Sequence, residues 1–160
     1  MDMLIFIGLQ ASGKSTFYRT HFGATHAYIS KDLLRNNKRP ARRQQQLIEE
    51  ALQAGRSVVI DNTNPTREDR APLIALGHQY DAQVVGYYFE TQVKRSIERN
   101  NLRMGKERVP PVAIFATLKR LVPPTYEEGF DQIYCVHSKE NFEFELQSWN
   151  AEASDGPIAE

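Results

Sequence analysis

The sequence predicts an α/β protein built as a three-layer sandwich, with a parallel sheet of four to five strands between helices and a helical lid. Three observations predict it. Short apolar runs alternate with segments of helical periodicity, the pattern of strands joined by crossover helices. The first run, Met3-Leu4-Ile5-Phe6-Ile7, is continuously apolar, as a central strand covered on both faces requires. It leads directly into Gly8-Leu9-Gln10-Ala11-Ser12-Gly13-Lys14-Ser15, which fits G-x-x-x-x-G-K-[ST] in full.

The elements follow in order. Lys14 to about His21 forms the first helix, with Gly23 as its stop. Ala27 to Ser30 is a short second strand. Leu47, Ala51 and Ala54 recur at helical spacing and predict a helix over much of Arg42 to Ala54, ended by Gly55. Ser57 to Ile60 is the third strand. Thr66 to Tyr80 reads as a helix that Pro72 kinks or starts late. Gln83 to Phe89 is the fourth strand. Thr91 is placed to cap a helix reaching about Met104. Pro110 and Pro111 open the next helix, with Ile114, Leu118, Leu121 and Val122 as its apolar stripe. Gln132 to Val136 supplies a last strand. One domain over residues 1–150 is expected, and the polar stretch 151–160, with Gly156-Pro157, is expected to be disordered.

Composition fits this frame: of 160 residues, 41% are hydrophobic and 25% charged. No apolar run approaches the length of a membrane span. Met3 to Ile7 has no basic segment before it and reads as a strand, not a signal peptide, so a cytoplasmic setting is expected. A single cysteine, Cys135, excludes an internal disulfide and a multi-cysteine metal site, and the four histidines show no ligand spacing. Net charge is zero but unevenly spread. Lys31 to Arg43 holds six basic residues against Asp32, and Lys94 to Arg108 holds six against Glu98 and Glu107. The stretch from His137 onward is acidic. The cationic segments can attract a polyanion; each is also compatible with a solvated surface.

The glycine-rich motif carries the most specific chemistry. Glycine permits backbone angles that let successive N–H groups converge on a phosphate at the positive end of a helix dipole. Gly8, Gln10, Ala11, Ser12, Gly13, Lys14, Ser15 and Thr16 are therefore the expected nucleotide-binding residues. Lys14 is placed to reach the terminal phosphates and Ser15 to ligate Mg²⁺. Asp61 ends the strand Ser57 to Ile60, and a carboxylate at that position is expected to hold Ser15 or a Mg²⁺ water. It also fits a turn opened by Asp61-Asn62-Thr63-Asn64-Pro65. Asp32 follows the short second strand and faces the same crevice edge, so it can accept the proton of an attacking hydroxyl. Arg35, three residues on, would share its helical face and could grip an acceptor phosphate. The same spacing fits a plain N-cap by Ser30 or Asp32. Arg99, Arg103 and Arg108 flank the Met104-Gly105-Lys106 break between two helices, the layout of a lid bringing cations over the γ-phosphate. Trp149, Phe142 and Phe144 read as packing residues.

Taken together, these stretches resemble the kinase domain of polynucleotide 5′-hydroxyl kinases. The resemblance is carried by Gly8 to Thr16, Ser30-Lys31-Asp32 with Arg35, Val59 to Pro65, Asn100-Asn101-Leu102-Arg103, Val109-Pro110, and Pro124-Thr125-Tyr126-Glu127-Glu128-Gly129-Phe130. It implies an adenylate-kinase-like fold, ATP as donor, Mg²⁺ as cofactor and a nucleic-acid 5′-OH end as acceptor, with no membrane partner. It also implies Asp32 as general base, Arg35 on the 3′-phosphate of the terminal nucleoside, and Arg103 with Arg99 in the lid. Lys31 departs from the arginine common in that family before the base, and no fused repair domain is seen. Two other functions fit the same motifs: a kinase of a nucleoside, sugar or antibiotic hydroxyl, and a nucleotide-binding module without phosphotransfer.

Overall fold

The computed structural model describes residues 1–139 and 143–149. The expected tail at 151–160, like Phe142, lies outside the described residues. The sheet has the order β2-β3-β1-β4-β5-β6. β1 (Asp2–Ile7) is central, flanked by β3 (Val58–Asp61) and β4 (Gln83–Phe89). β2 (Ala27–Ile29) and β5 (Gln132–Ser138) extend it in parallel on either side. Parallel pairing aligns the C-terminal ends of β1, β2 and β3 on one edge, where open α/β sheets bind ligands.

Why β1 is continuously apolar is visible in its two faces. Met3, Ile5 and Ile7 pack with Ile48, Ala51 and Leu52 of α2 (Pro40–Gln53) and with Leu73, Ile74 and Leu76 of α3 (Arg67–Gln79). Leu4 and Phe6 face the other way, against Phe17 of α1 (Lys14–His21), Val59, Val85 and Phe89. Two separate cores therefore clamp one strand, and that strand delivers the chain into the Gly8 loop.

Several elements differ from the sequence expectation. The sheet has six strands among the described residues, because β6 (Phe144–Trp149) adds antiparallel to β5. Its sequence, Phe-Glu-Leu-Gln-Ser-Trp, is mostly exposed and pairs on one side only, so it lacks the apolar run that marks a central strand. α2 begins at Pro40, where proline's fixed φ suits a first helical position. α3 runs from Arg67 through Pro72, starting five residues before the proline because Thr66 and Asp69 form a reciprocal capping box. α4 (Val93–Leu102) is capped at Gln92 without a side-chain bond, and the Thr91 hydroxyl instead lies 3.4 Å from Tyr88 Oη. α5 (Pro111–Arg120) ends before Leu121 and Val122, and the Val122 N–H bonds Pro65 O at 2.7 Å.

A buried ion pair joins these pieces. Arg70, on α3, is 0% exposed. Its Nε and Nη2 donate to the two Glu128 carboxylate oxygens at 2.8 and 3.2 Å. Its Nη1 donates to the carbonyls of Asn64, Pro65 and Val122. Glu128 Oε2 also accepts the Thr125 N–H at 2.8 Å. Removing one partner strands the other charge without water. Arg70→Met should therefore cost about 3–5 kcal/mol in urea denaturation, and adding Glu128→Leu should recover most of it. An equal loss in both variants would show that the carbonyl bonds, not the pair, carry the effect.

Candidate active site

The loop begins where β1 meets the sheet edge. A Cβ at Gly8 would sit 2.9 Å from the Phe89 Cβ, so no side chain fits there. Gly13 has φ +95°, and a Cβ on it would meet the Phe144 ring at 3.1 Å. It is also the N-cap of α1, which puts the positive end of that helix at the loop. Ala11 adopts φ 58° with its Cβ in place, a left-handed conformation costing roughly 1–2 kcal/mol.

Inside the loop, Lys14 folds back on the backbone. Its Nζ donates to Gly8 O at 3.1 Å and Leu9 O at 2.6 Å, with Ser12 Oγ at 3.5 Å. Burial pulls its pKa down to about 8, against attraction from Asp61; the nearby Arg103 cation lowers it further and Asp32 raises it. Three charged groups from distant parts of the chain thus act on one ammonium.

Asp61 closes β3 and is 5% exposed. Ser15 Oγ donates to its Oδ2 at 3.0 Å, and Tyr28 Oη donates to the same oxygen at 2.6 Å. Burial first, and then the Asp61 charge, hold the Tyr28 phenol above its usual range, so it stays protonated and donating. Beyond Asp61 each residue of the turn is committed. Asn62 accepts the Lys31 N–H and donates to Gln44 Oε1. Thr63 O accepts the Gly8 N–H, and Asn64 Nδ2 donates to Phe6 O.

The Lys31 bond fixes the acceptor side of the crevice. Lys31–Leu34 is a 3₁₀ turn capped by Ser30, whose hydroxyl accepts the Asp32 N–H at 3.2 Å. Capping occupies Asp32's backbone and leaves its carboxylate exposed, 3.6 Å from Arg35 Nη2. Arg35 Nη1 reaches across to Lys106 O at 3.0 Å. A second 3₁₀ turn, Gly105–Glu107, carries that carbonyl between α4 and α5, and Arg103 Nη1 braces it through Glu107 O.

These groups share one cavity of about 750 Å³. It is lined by Gln10 to Thr16, by Lys31, Asp32 and Arg35, by Asp61 to Pro65, and by Arg103. Such a volume lies within the roughly 300–1,000 Å³ of ligand sites. Gly8 lies beneath the cavity rather than on it. Arg99 does not line it either: its Nη2 donates to Ser138 Oγ at 2.7 Å and its Nη1 lies near Gly13. The Gln10 side chain donates to Thr117 Oγ1 on α5 at 2.9 Å, leaving its own Oε1 buried without a partner. Tyr28 and Arg120 also line the cavity and were not among the sequence candidates. Tyr28 reads as an ordinary strand tyrosine, and Arg120 as a solvated cation in a last helical turn.

Sheet order, loop and cavity together define a P-loop domain of kinase type. The chain belongs to the AAA domain family, whose model matches residues 3–124. It is 27% identical over 154 residues to the bifunctional polynucleotide phosphatase/kinase of Schizosaccharomyces pombe, covering 93% of this chain and 36% of that protein. A protein of Acanthamoeba polyphaga mimivirus, named for the same pair of activities, is 33% identical over 143 residues, covering 84% of this chain and 33% of its own length. The chain thus spans about a third of the length of these curated relatives. The crystal structure of a gluconokinase from Sinorhizobium meliloti 1021 shares the fold, with a TM-score of 0.60 at 18% identity, covering 88% of this chain and 85% of that one.

A bound polyphosphate stabilises the charged form of Lys14. Nucleotide affinity should therefore be full below pH 8 and fall above it, by up to about tenfold per pH unit. Calorimetry at pH 8 to 9, in buffers of different ionisation enthalpy, should read proton uptake on nucleotide binding. Affinity flat across that range would show that Lys14 stays fully charged in the free protein.

Proposed function

We propose that this chain transfers the γ-phosphoryl group of ATP to the 5′-hydroxyl end of DNA or RNA. The observation that carries the reading is that the Asp32 carboxylate and the Arg35 guanidinium line the same cavity as the phosphate loop. A module that only held nucleotide would need neither group there. The names of the two curated relatives support a polynucleotide acceptor.

In this reading Asp32 accepts the proton of the attacking hydroxyl as its oxygen bonds to the γ-phosphorus. The bond from that phosphorus to the bridging oxygen breaks, and ADP leaves with the electron pair. Lys14 exchanges its carbonyl partners for phosphate oxygens. Arg103 offsets charge on the transferring group from the lid side, and Arg35 holds an acceptor phosphate. Arg99, outside the cavity, backs the loop at Gly13. Ser15 and Asp61 are an all-oxygen donor pair suited to a hard cation. Among the described residues no group of three His, Cys, Asp or Glu forms a separate metal cage. Ser15 and Asp61 would hold Mg²⁺ beside the phosphates of a bound nucleotide. When bound, the ion would neutralise charge on the phosphate oxygens.

The likeness to a gluconokinase fold across 85% of that chain favours a second reading, phosphorylation of a small-molecule hydroxyl. Salt separates the two, since an oligonucleotide acceptor loses affinity through counterion release and a neutral sugar does not.

The direct test is label transfer from γ-labelled ATP to 5′-OH oligonucleotides, single-stranded, nicked and duplex. Label should appear at the 5′ end. Asp32→Asn should lower kcat by about 10²- to 10⁴-fold while the ATP Kd holds. Folded protein that labels no end, but labels a metabolite, would replace this reading with the second.

A further inference from the structure

Arg120 occupies a position that the roles above leave unused. α5 turns Ile114 and Thr117 inward, at 0% and 3% exposure. Arg120 follows Thr117 by three residues, so it continues the same face where the helix emerges at the cavity. The register of that face is pinned, because Thr117 Oγ1 accepts from Gln10 in the phosphate loop and donates to Ala113 O at 3.0 Å.

The guanidinium there is not neutralised. Among the described residues Arg120 has no ion pair and no hydrogen bond. Asp69, a carboxylate on the same cavity wall, is committed to its capping box: its Oδ2 accepts from both the Thr66 N–H and the Thr66 hydroxyl. The chain just past Arg120 is tied to the Asp61–Pro65 turn, since the Val122 N–H donates to Pro65 O at 2.7 Å. Asn64, Pro65 and Asp69 line the same cavity as Arg120.

The geometry points to Arg120 as a second acceptor-side anion contact, one that meets a backbone phosphate of a polynucleotide rather than the phosphates of ATP. This rests on the reading of a 5′-OH polynucleotide acceptor and sharpens it. Arg35 and Arg120 reach one cavity from separate elements, so an acceptor that satisfies both carries at least two phosphates. A sugar or nucleoside offers none, and the site would then discriminate by charge count as well as by the reacting hydroxyl.

The test measures binding separately from chemistry. A 5′-OH oligonucleotide labelled at its 3′ end is titrated with wild-type protein, Arg120→Gln and Arg120→Lys across a range of salt. Arg120 is exposed and unpartnered, so neither substitution should disturb folding. Arg120→Gln should reduce the slope of log affinity against log salt by about 0.7–1 and weaken binding roughly five- to tenfold near ~0.1 M salt. Arg120→Lys should restore most of the slope, and the ATP Kd of both variants should stay within about twofold of wild type. If wild-type protein binds and phosphorylates the oligonucleotide while Arg120→Gln keeps the full slope, this inference fails alone. An equal loss of ATP affinity would place Arg120 on the donor and overturn it too. Wild-type protein that neither binds nor labels the oligonucleotide would end the polynucleotide reading and this inference together.

Discussion

The five residues from Asp61 to Pro65 are the constraint on which the site depends. They leave β3 beside the phosphate loop, and each of them holds at least one partner from elsewhere in the chain. Asp61 takes Ser15 and Tyr28, Asn62 takes Lys31 and Gln44, Thr63 takes Gly8, Asn64 takes Phe6, and Pro65 takes Val122 and Arg70. One segment thereby sets the depth of the phosphate loop, the start of the 3₁₀ turn bearing Asp32, and the end of α5. A buried segment of polar residues is costly unless every group is paired, and pairing of this kind fixes one geometry. The buried Arg70–Glu128 pair secures it from below by holding the Asn64 and Pro65 carbonyls. Asn64 takes φ 45°, a left-handed conformation that asparagine tolerates better than most residues.

Lys14 shows how such a scaffold stays poised. Loop carbonyls hold its ammonium, and burial still makes the charge expensive enough to bring the pKa to about 8. An incoming anion supplies what the carbonyls supply only in part, so the loop need not rearrange to gain from binding. The lid is linked to the same balance from outside. Arg35 spans from the Asp32 turn to the Lys106 carbonyl, so the acceptor side and the lid touch through a single side chain.

Much of this was legible in the sequence because it rests on local rules. Continuous apolar strands, the glycine motif and the proline at the start of α5 each announce themselves within a few positions. The carboxylates at 32 and 61 could be placed because parallel strands all end on one edge. What stayed hidden was long-range or two-sided. Arg70 looks like any helical arginine, and nothing near it in sequence marks Glu128, 58 residues away, as its partner. β6 is polar and exposed because it is an edge strand, and it is held by Phe144 and Trp149 packing on opposite faces rather than by an apolar run. Arg99 sits at a lid-like spacing, yet the Ser138 hydroxyl at the end of β5 holds it beside Gly13, where the Phe144 ring of the unexpected β6 also packs.

The charge pattern is best understood from the same geometry. A chain with zero net charge has no overall field to draw in a polyanion, so any attraction must come from local segregation. The two basic segments, 31–43 and 94–108, lie far apart in sequence and would each pass for a solvated surface. The fold brings both to one cavity, which Arg35 of the first and Arg103 of the second line together with Lys14 and Arg120, while Arg35 also bonds the Lys106 backbone carbonyl. Cations gathered around a concave, partly desolvated opening act more strongly than the same charges on a convex face. Of the acidic residues on that wall, Asp61 is taken by Ser15 and Tyr28 and Asp69 by its capping box, Asp32 has only a loose pairing to Arg35, and Glu107 adds a further carboxylate. Neutrality over the whole chain therefore coexists with a local gathering of cations around one crevice, in which the Asp32 carboxylate stays exposed beside Arg35.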